Sequence, residues 1–214
     1  GPMVRAMVGI DVEFHGVLAD IINRLNSADA PAWSGLYAGV SMAGLPKAKP
    51  VDLPPLLIFD DGHVASVALD MPHDPAAFWK DTRETPARYV WPGFTTNVVA
   101  KAKPRGPSGI VKIRYAPLSR YAKVCDILKT PRVGNFAPDV LSHILATMIA
   151  KQPNGPDSEP GDLITDGKAN LFPCGSVLVV VGWYDDDRRW DAGGWSPDVE
   201  IDAGRRVFSG DLVL

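Results

Sequence analysis

The chain has 214 residues, of which 46% are apolar and 22% charged, a globular composition that excludes a disordered or collagen-like polymer. Twenty-two Lys and Arg against 25 Asp and Glu leave a formal net charge of −3, so the total charge forces no class of partner. No apolar run reaches the roughly 18 residues that a membrane-spanning helix needs. Two cysteines, Cys125 and Cys174, leave one disulfide open but exclude a disulfide scaffold or a Cys-rich zinc site.

Of the 25 acids, 21 are Asp and four are Glu; Asp favours turns and caps, which places much of the acidity at element ends. Gly and Pro number 20 each, which predicts many turns, short strands and few helices. Gly1-Pro2-Met3 reads as a remnant of protease cleavage ahead of a start methionine. The residues after it show no basic patch leading into an apolar run, so a cytoplasmic location is expected.

The first predicted element is a helix carrying Phe14, Val17, Leu18, Ile21, Ile22 and Leu25 on one face, with His15 at the stripe's edge. A stretch of small residues and a Pro-rich connector, 46–55, follow. Leu56 to Phe59 and Val64 to Leu69 then read as a hairpin turning at Asp61-Gly62. Asp74-Pro75 predicts a short helix, capped by Asp74 and carrying Phe78 and Trp79. Residues 88–99 and 109–116 read as strands. Leu118, Tyr121, Ala122, Cys125 and Leu128 share a helix face, which makes Cys125 a core residue.

A second helix is expected from Pro138 to Lys151, with the stripe Val140, Leu141, Ile144, Leu145, Met148 and Ile149 and with His143 pointing to solvent. An exposed acidic Pro/Gly loop, 152–162, leads to a strand from Val177 to Trp183 and a hairpin over 199–208 turning near Ala203-Gly204. The expected architecture is one α+β domain over residues 4–214: a mainly antiparallel sheet with about three to four helices packed on it.

The near-neutral total hides a segregation. Residues 101–132 hold nine cations against Asp126, a net of +8, and residues 157–202 hold 11 acids against three cations, a net of −8. In a strand over 110–115, Lys112 and Arg114 share one side and Val111, Ile113 and Tyr115 the other. Lys101, Lys103 and Arg105 precede that strand, and Arg120 and Lys123 follow it. Together these seven residues are the candidate binding face, suited to carboxylates or phosphates on a partner. The basic segment could instead be neutralised by its acidic neighbour within one fold.

The acidic region holds Trp183, Trp190 and Trp195 near Tyr184 and Asp185-Asp186-Asp187. Such a strip can bind a sugar or a protein, or form a hairpin whose tryptophans close the core above a solvated aspartate turn. A calcium loop is disfavoured, because Arg189 stands where a third oxygen ligand is needed.

The strongest catalytic candidate is a metal-dependent hydrolase built on Asp60, His63, His73 and Asp74, since carboxylates and imidazoles are the ligands of hydrolytic metal centres. A turn between Asp60 and His63 would bring those two together whatever the function. Cys174 lacks a helix N-terminus that would activate its thiol, and phosphate-loop and dinucleotide fingerprints are absent. The residues therefore favour a non-enzymatic binding or assembly protein with no cofactor and no membrane contact. Its basic face, 101–132, would dock an acidic protein surface or another copy of the chain, as in a homo-oligomer or virion-type assembly. Nucleic acid is the alternative partner.

Overall fold

The computed structural model describes residues 54–60, 62–80 and 88–213, all within one compact unit, 53–214. The helix expected over 14–25 and most of the Pro-rich connector lie outside the described residues.

The strands in chain order are β1 (Val64–Leu69), β2 (Arg88–Val90), β3 (Gly109–Pro117), β4 (Ala122–Lys123), β5 (Asn170–Cys174), β6 (Val177–Tyr184), β7 (Arg189–Trp195), β8 (Glu200–Ile201) and β9 (Arg206–Val213). Seven of them make one sheet in the order β1-β3-β9-β5-β6-β7-β2, and β4 pairs with β8 in a separate ladder. The fold is α+β, but the sheet is mixed rather than mainly antiparallel: β5 runs parallel to β9, and β2 parallel to β7. Helices are few and mostly short: α1 (Pro75–Phe78), α2 (Pro92–Phe94), α3 (Val124–Leu128) and α4 (Pro138–Lys151), with a π-helical turn over Thr95–Val99.

The long helix α4 forms for the reasons its sequence gives. Pro138 occupies the first turn, where its missing N–H costs nothing, and Asp139 and Lys151 complement the two ends of the helix dipole. Its buried stripe, Leu141, Ile144, Leu145, Met148 and Ile149, packs on one sheet face with Val67, Ile113, Phe172, Val179 and Trp190. At the sheet centre Phe172 and Phe208 stack with centroids 4.4 Å apart. Each fully buried Leu or Ile here contributes roughly 1.5–3 kcal/mol.

A second, smaller core covers part of the opposite face. Leu56, Leu57 and Phe59 pack there with Leu118, Val124, Ile127, Leu171, Leu178 and Ile201. Leu56 to Phe59 therefore make no hairpin with β1. They are an irregular cover that buries Leu56, Leu57 and Phe59 and leaves Ile58 exposed, and β1 pairs antiparallel with β3 instead. An apolar run serves a strand or a cover equally well, and tertiary packing decided between them.

Other expected boundaries also shift. Residues 88–99 hold a three-residue strand followed by helical turns, set off by Pro92. The helix expected from Leu118 begins only at Val124, because Ala122 and Lys123 pair with Ile201 and Glu200. That pairing also means that β8 and β9 flank the Ala203-Gly204 turn without forming a hairpin. In the loop 152–162 most residues are exposed, but Gln152 and Gly155 are buried.

Central strand β5 contains Pro173, which has no N–H to offer a ladder. The parallel pairing to β9 covers Asn170 and Leu171 only, so Pro173 sits where β9 has already diverged. Its carbonyl accepts from the Phe136 amide at 2.9 Å.

Candidate functional site

The basic stretch does not form one continuous face. Arg105 lies on the α4 side of the sheet: its backbone bridges to His73, and its guanidinium donates to Asp139 at 2.5 Å. Burial would raise the Asp139 carboxyl, but the Arg105 hydrogen bond and the amides at the start of α4 outweigh it and hold the group below the usual carboxylate range. Lys101 is exposed on the same side, with Nζ donating to Asn97 at 3.3 Å.

Lys112 and Arg114 stand on the opposite face of β3, because Val111, Ile113 and Tyr115 pack into the α4 core. Lys112 is exposed. Arg114 is half-buried in a cleft lined by Phe59, Asp60, Arg132, Ser209 and Asp211. That cleft exists because β9 bulges: Ile113 faces Leu212 and Tyr115 faces Phe208, leaving three β9 residues opposite Arg114. Lys103 is exposed in the loop before β3, Lys123 is exposed opposite Glu200, and Arg120 is half-buried with its Nε covered and unpartnered. Among the described residues, Lys103 and Lys112 enter no ion pair.

Three acids of 157–202 find arginines within their own segment. Asp157 pairs with Arg188 at 2.6 Å, and Asp187 and Asp191 pair with Arg189 at 2.9 and 3.0 Å. Asp185 and Asp186 are exposed at the β6–β7 turn.

The four residues of the hydrolase alternative are dispersed. Asp60 accepts from the Gly62 amide and bonds His63 Nδ1 at 2.7 Å, and that bond holds the Asp60 carboxyl below its ordinary range. Asp74 caps α1 by accepting from the amides of Ala76 and Ala77. His63 and His73 lie at opposite ends of the six-residue strand β1. Among the described residues, no group of three His, Cys, Asp or Glu side chains could hold a metal ion.

His73 belongs instead to a buried polar cluster. It is 6% exposed and stacks on His143 with ring centroids 5.1 Å apart, while its Nε2 lies 2.7 Å from Ser142 Oγ. Trp79 Nε1 donates to the same oxygen at 2.8 Å, so the hydroxyl bridges the indole and the imidazole. Burial, with His143 alongside, pushes His73 down to about 4. His143, expected to reach solvent, is 3% exposed, because α1 and the segment before it cover that side of α4. Cys174 is buried, and burial pushes its thiol up, which suits a packing residue.

The second concave surface is one that the chain pattern indicates only in part. Trp183 and Trp190 close the α4 core, as a hairpin reading requires, with Asp185–Asp187 exposed at its turn. On the opposite face of β6 and β7 lie Gly182, Tyr184, Asp191, Gly193 and Trp195, and Trp91 reaches over from the end of β2. They bound a trough of about 550 Å³. Gly182 and Gly193 carried the missing signal: alternation along the two strands puts both on the outward side, next to an exposed tyrosine and a tryptophan.

Compared with known protein families, curated proteins and solved structures, the chain matches none of them. Among the described residues no helix is long and apolar enough to cross a membrane.

Proposed function

We propose that this protein works by binding: it docks an acidic protein surface through the exposed cations of 101–132, and the acidic surface is that of a second copy. Lys112 on the outward face of β3 and Lys103 in the loop before it supply the cations of the contact. The exposed Asp185-Asp186 turn of the neighbouring copy forms the acidic side. The observation that carries this reading is the local bookkeeping of charge. Asp157, Asp187 and Asp191 pair with Arg188 and Arg189, while Lys103 and Lys112 are exposed and outside any ion pair among the described residues.

A contact between two different patches of the same chain is heterologous, and it closes into a ring or propagates as a filament. Electrostatic docking of this kind supplies orientation and speed of association, and salt weakens it once the screening length falls to about 8 Å at physiological ionic strength. Light scattering at low and high salt tests the proposal. The expected result is a multiple of the 23.0 kDa chain mass that falls toward one chain as salt is raised. A single-chain mass at low salt overturns it, and so does a multiple indifferent to salt. Nucleic acid as the true partner would show instead as a gel shift weakened by Lys112→Glu combined with Arg114→Glu.

A further inference from the structure

The trough between Trp91 and Trp195 has a floor that packing does not require. Gly182 and Gly193 sit inside strands, where glycine forfeits both side-chain contacts and backbone order. A Cβ on Gly193 would lie 3.6 Å from the Trp91 ring, and one on Gly182 would lie 3.9 Å from Ala169. Both are ordinary van der Waals distances, and neither residue has a positive φ. Gly93 is different: there a Cβ would come within 2.9 Å of the Gly194 carbonyl, so glycine is needed for the chain to pass. The fold would accept alanine at 182 and 193, and what glycine provides there is a low, level floor.

Around that floor the side chains are of two kinds. Trp91 is 50% exposed and Tyr184 53% exposed, and Trp195 is half-buried beneath the Arg205 guanidinium, 5.3 Å from its ring centre. The polar group at the centre is Asp191, opposite Gly182 in the ladder. Asp191 is 8% exposed and is fixed by Arg189 Nε on Oδ1 at 3.0 Å. Its Oδ2 has only a long, 3.4 Å contact from Trp91 Nε1, which leaves that oxygen with acceptor capacity on a residue that lines the trough.

An aromatic face beside a positioned carboxylate matches a ring with an apolar C–H face and a rim of hydroxyl donors. The ring covers the tryptophan, and adjacent hydroxyls donate to the carboxylate. The cavity volume lies in the range of small-ligand sites, and Lys168 and Arg205 on the trough wall, with Arg189 on Asp191, disfavour a cationic ligand. From this geometry we infer that the trough is a saccharide site that seats one pyranose unit of a glycan on Trp91, with Asp191 accepting its hydroxyls.

The test uses the full chain on a printed glycan array, followed by saturation-transfer NMR with the methyl glycosides of glucose, galactose, mannose and glucuronic acid. Binding is expected for at least one array glycan, with transfer strongest at the pyranose ring protons. It should weaken at least tenfold in Trp91→Ala and in the double variant Gly182→Ala with Gly193→Ala. The double variant should melt at the same temperature as the parent or higher, which separates loss of the site from loss of the fold. Glucuronide binding without its neutral counterpart would show that Lys168 and Arg205 on the trough wall read an acidic sugar, a form of the same site. No array signal, or binding unchanged in both variants, would overturn the inference.

Discussion

Acidification from pH 7 to pH 4 should remove about 3 kcal/mol of stability through His73 alone. The ring is 6% exposed, lies against His143, and is hydrogen-bonded through Nε2 to Ser142 Oγ at 2.7 Å. Protonation would place a charge in the core, next to a second imidazole and close to Arg105 on the His143 side; Asp74 alone among the neighbours favours the charge. In the unfolded chain the group titrates near 6.5 and in the folded protein at about 4. Between those values the unfolded state binds more protons, so stability is full above about 6.5, falls as pH drops, and is lost completely below about 4. At 1.36 kcal/mol per pH unit the gap sets the size of the effect. Urea denaturation across this window, on the parent and on His73→Gln, measures it: the parent should lose about 3 kcal/mol more than the variant. Asp162, pushed up by burial, works in the opposite sense but is common to both proteins. Equal losses in parent and variant would refute the reasoning.

Gln152→Ala should cost about 2–3 kcal/mol in urea, because its side chain accepts from the buried Leu163 amide at 3.0 Å and donates to the Leu163 carbonyl at 3.1 Å. Gly155→Ala should cost about 2–4 kcal/mol, since φ is +56° and the new Cβ would fall 2.2 Å from Trp183; Gly106→Ala, with nothing within 4 Å, should stay within about 0.5 kcal/mol of the parent. Cys125, expected from its helix face to be a core residue, is only half-buried in the structure, so in a thiol-labelling assay it should react first and buried Cys174 only on unfolding. Cys125→Ser should abolish the fast phase, and an unchanged fast phase would show that Cys174 is accessible.

The parts of the fold readable in the chain are those where local chemistry and tertiary demand agree. Helix α4 carries its own stripe and Pro start, α1 its Asp74-Pro75 signal, and β3 and β6 their β-branched runs, so all four fall close to the expected residues. Pairing was not readable. Leu56 to Phe59 has the composition of a strand, but β1 finds a better partner in β3, far along the chain, and the apolar run becomes a cover. His143 looked solvated from α4 alone, since its burial comes from residues 71–79, which no periodicity of α4 encodes. At the candidate sites, alternation placed Lys112 and Arg114 correctly on the face away from the core, whereas the separation of Arg105 from them depends on its pairing with Asp139, 34 residues away. Trp91 joins the trough through the parallel pairing of β2 with β7, and its indole reaches Asp191, 100 residues along the chain.

The most direct measurement of the docking account is a charge exchange read by light scattering at low salt. One variant carries Lys103→Glu with Lys112→Glu, and the other Asp185→Lys with Asp186→Lys. Each alone should have the mass of a single chain. An equimolar mixture should regain a higher mass, because the intact basic side of the second variant meets the intact acidic turn of the first. If the mixture stays monomeric while the parent assembles, or if either variant assembles as the parent does, the cations of 101–132 are not what holds copies together.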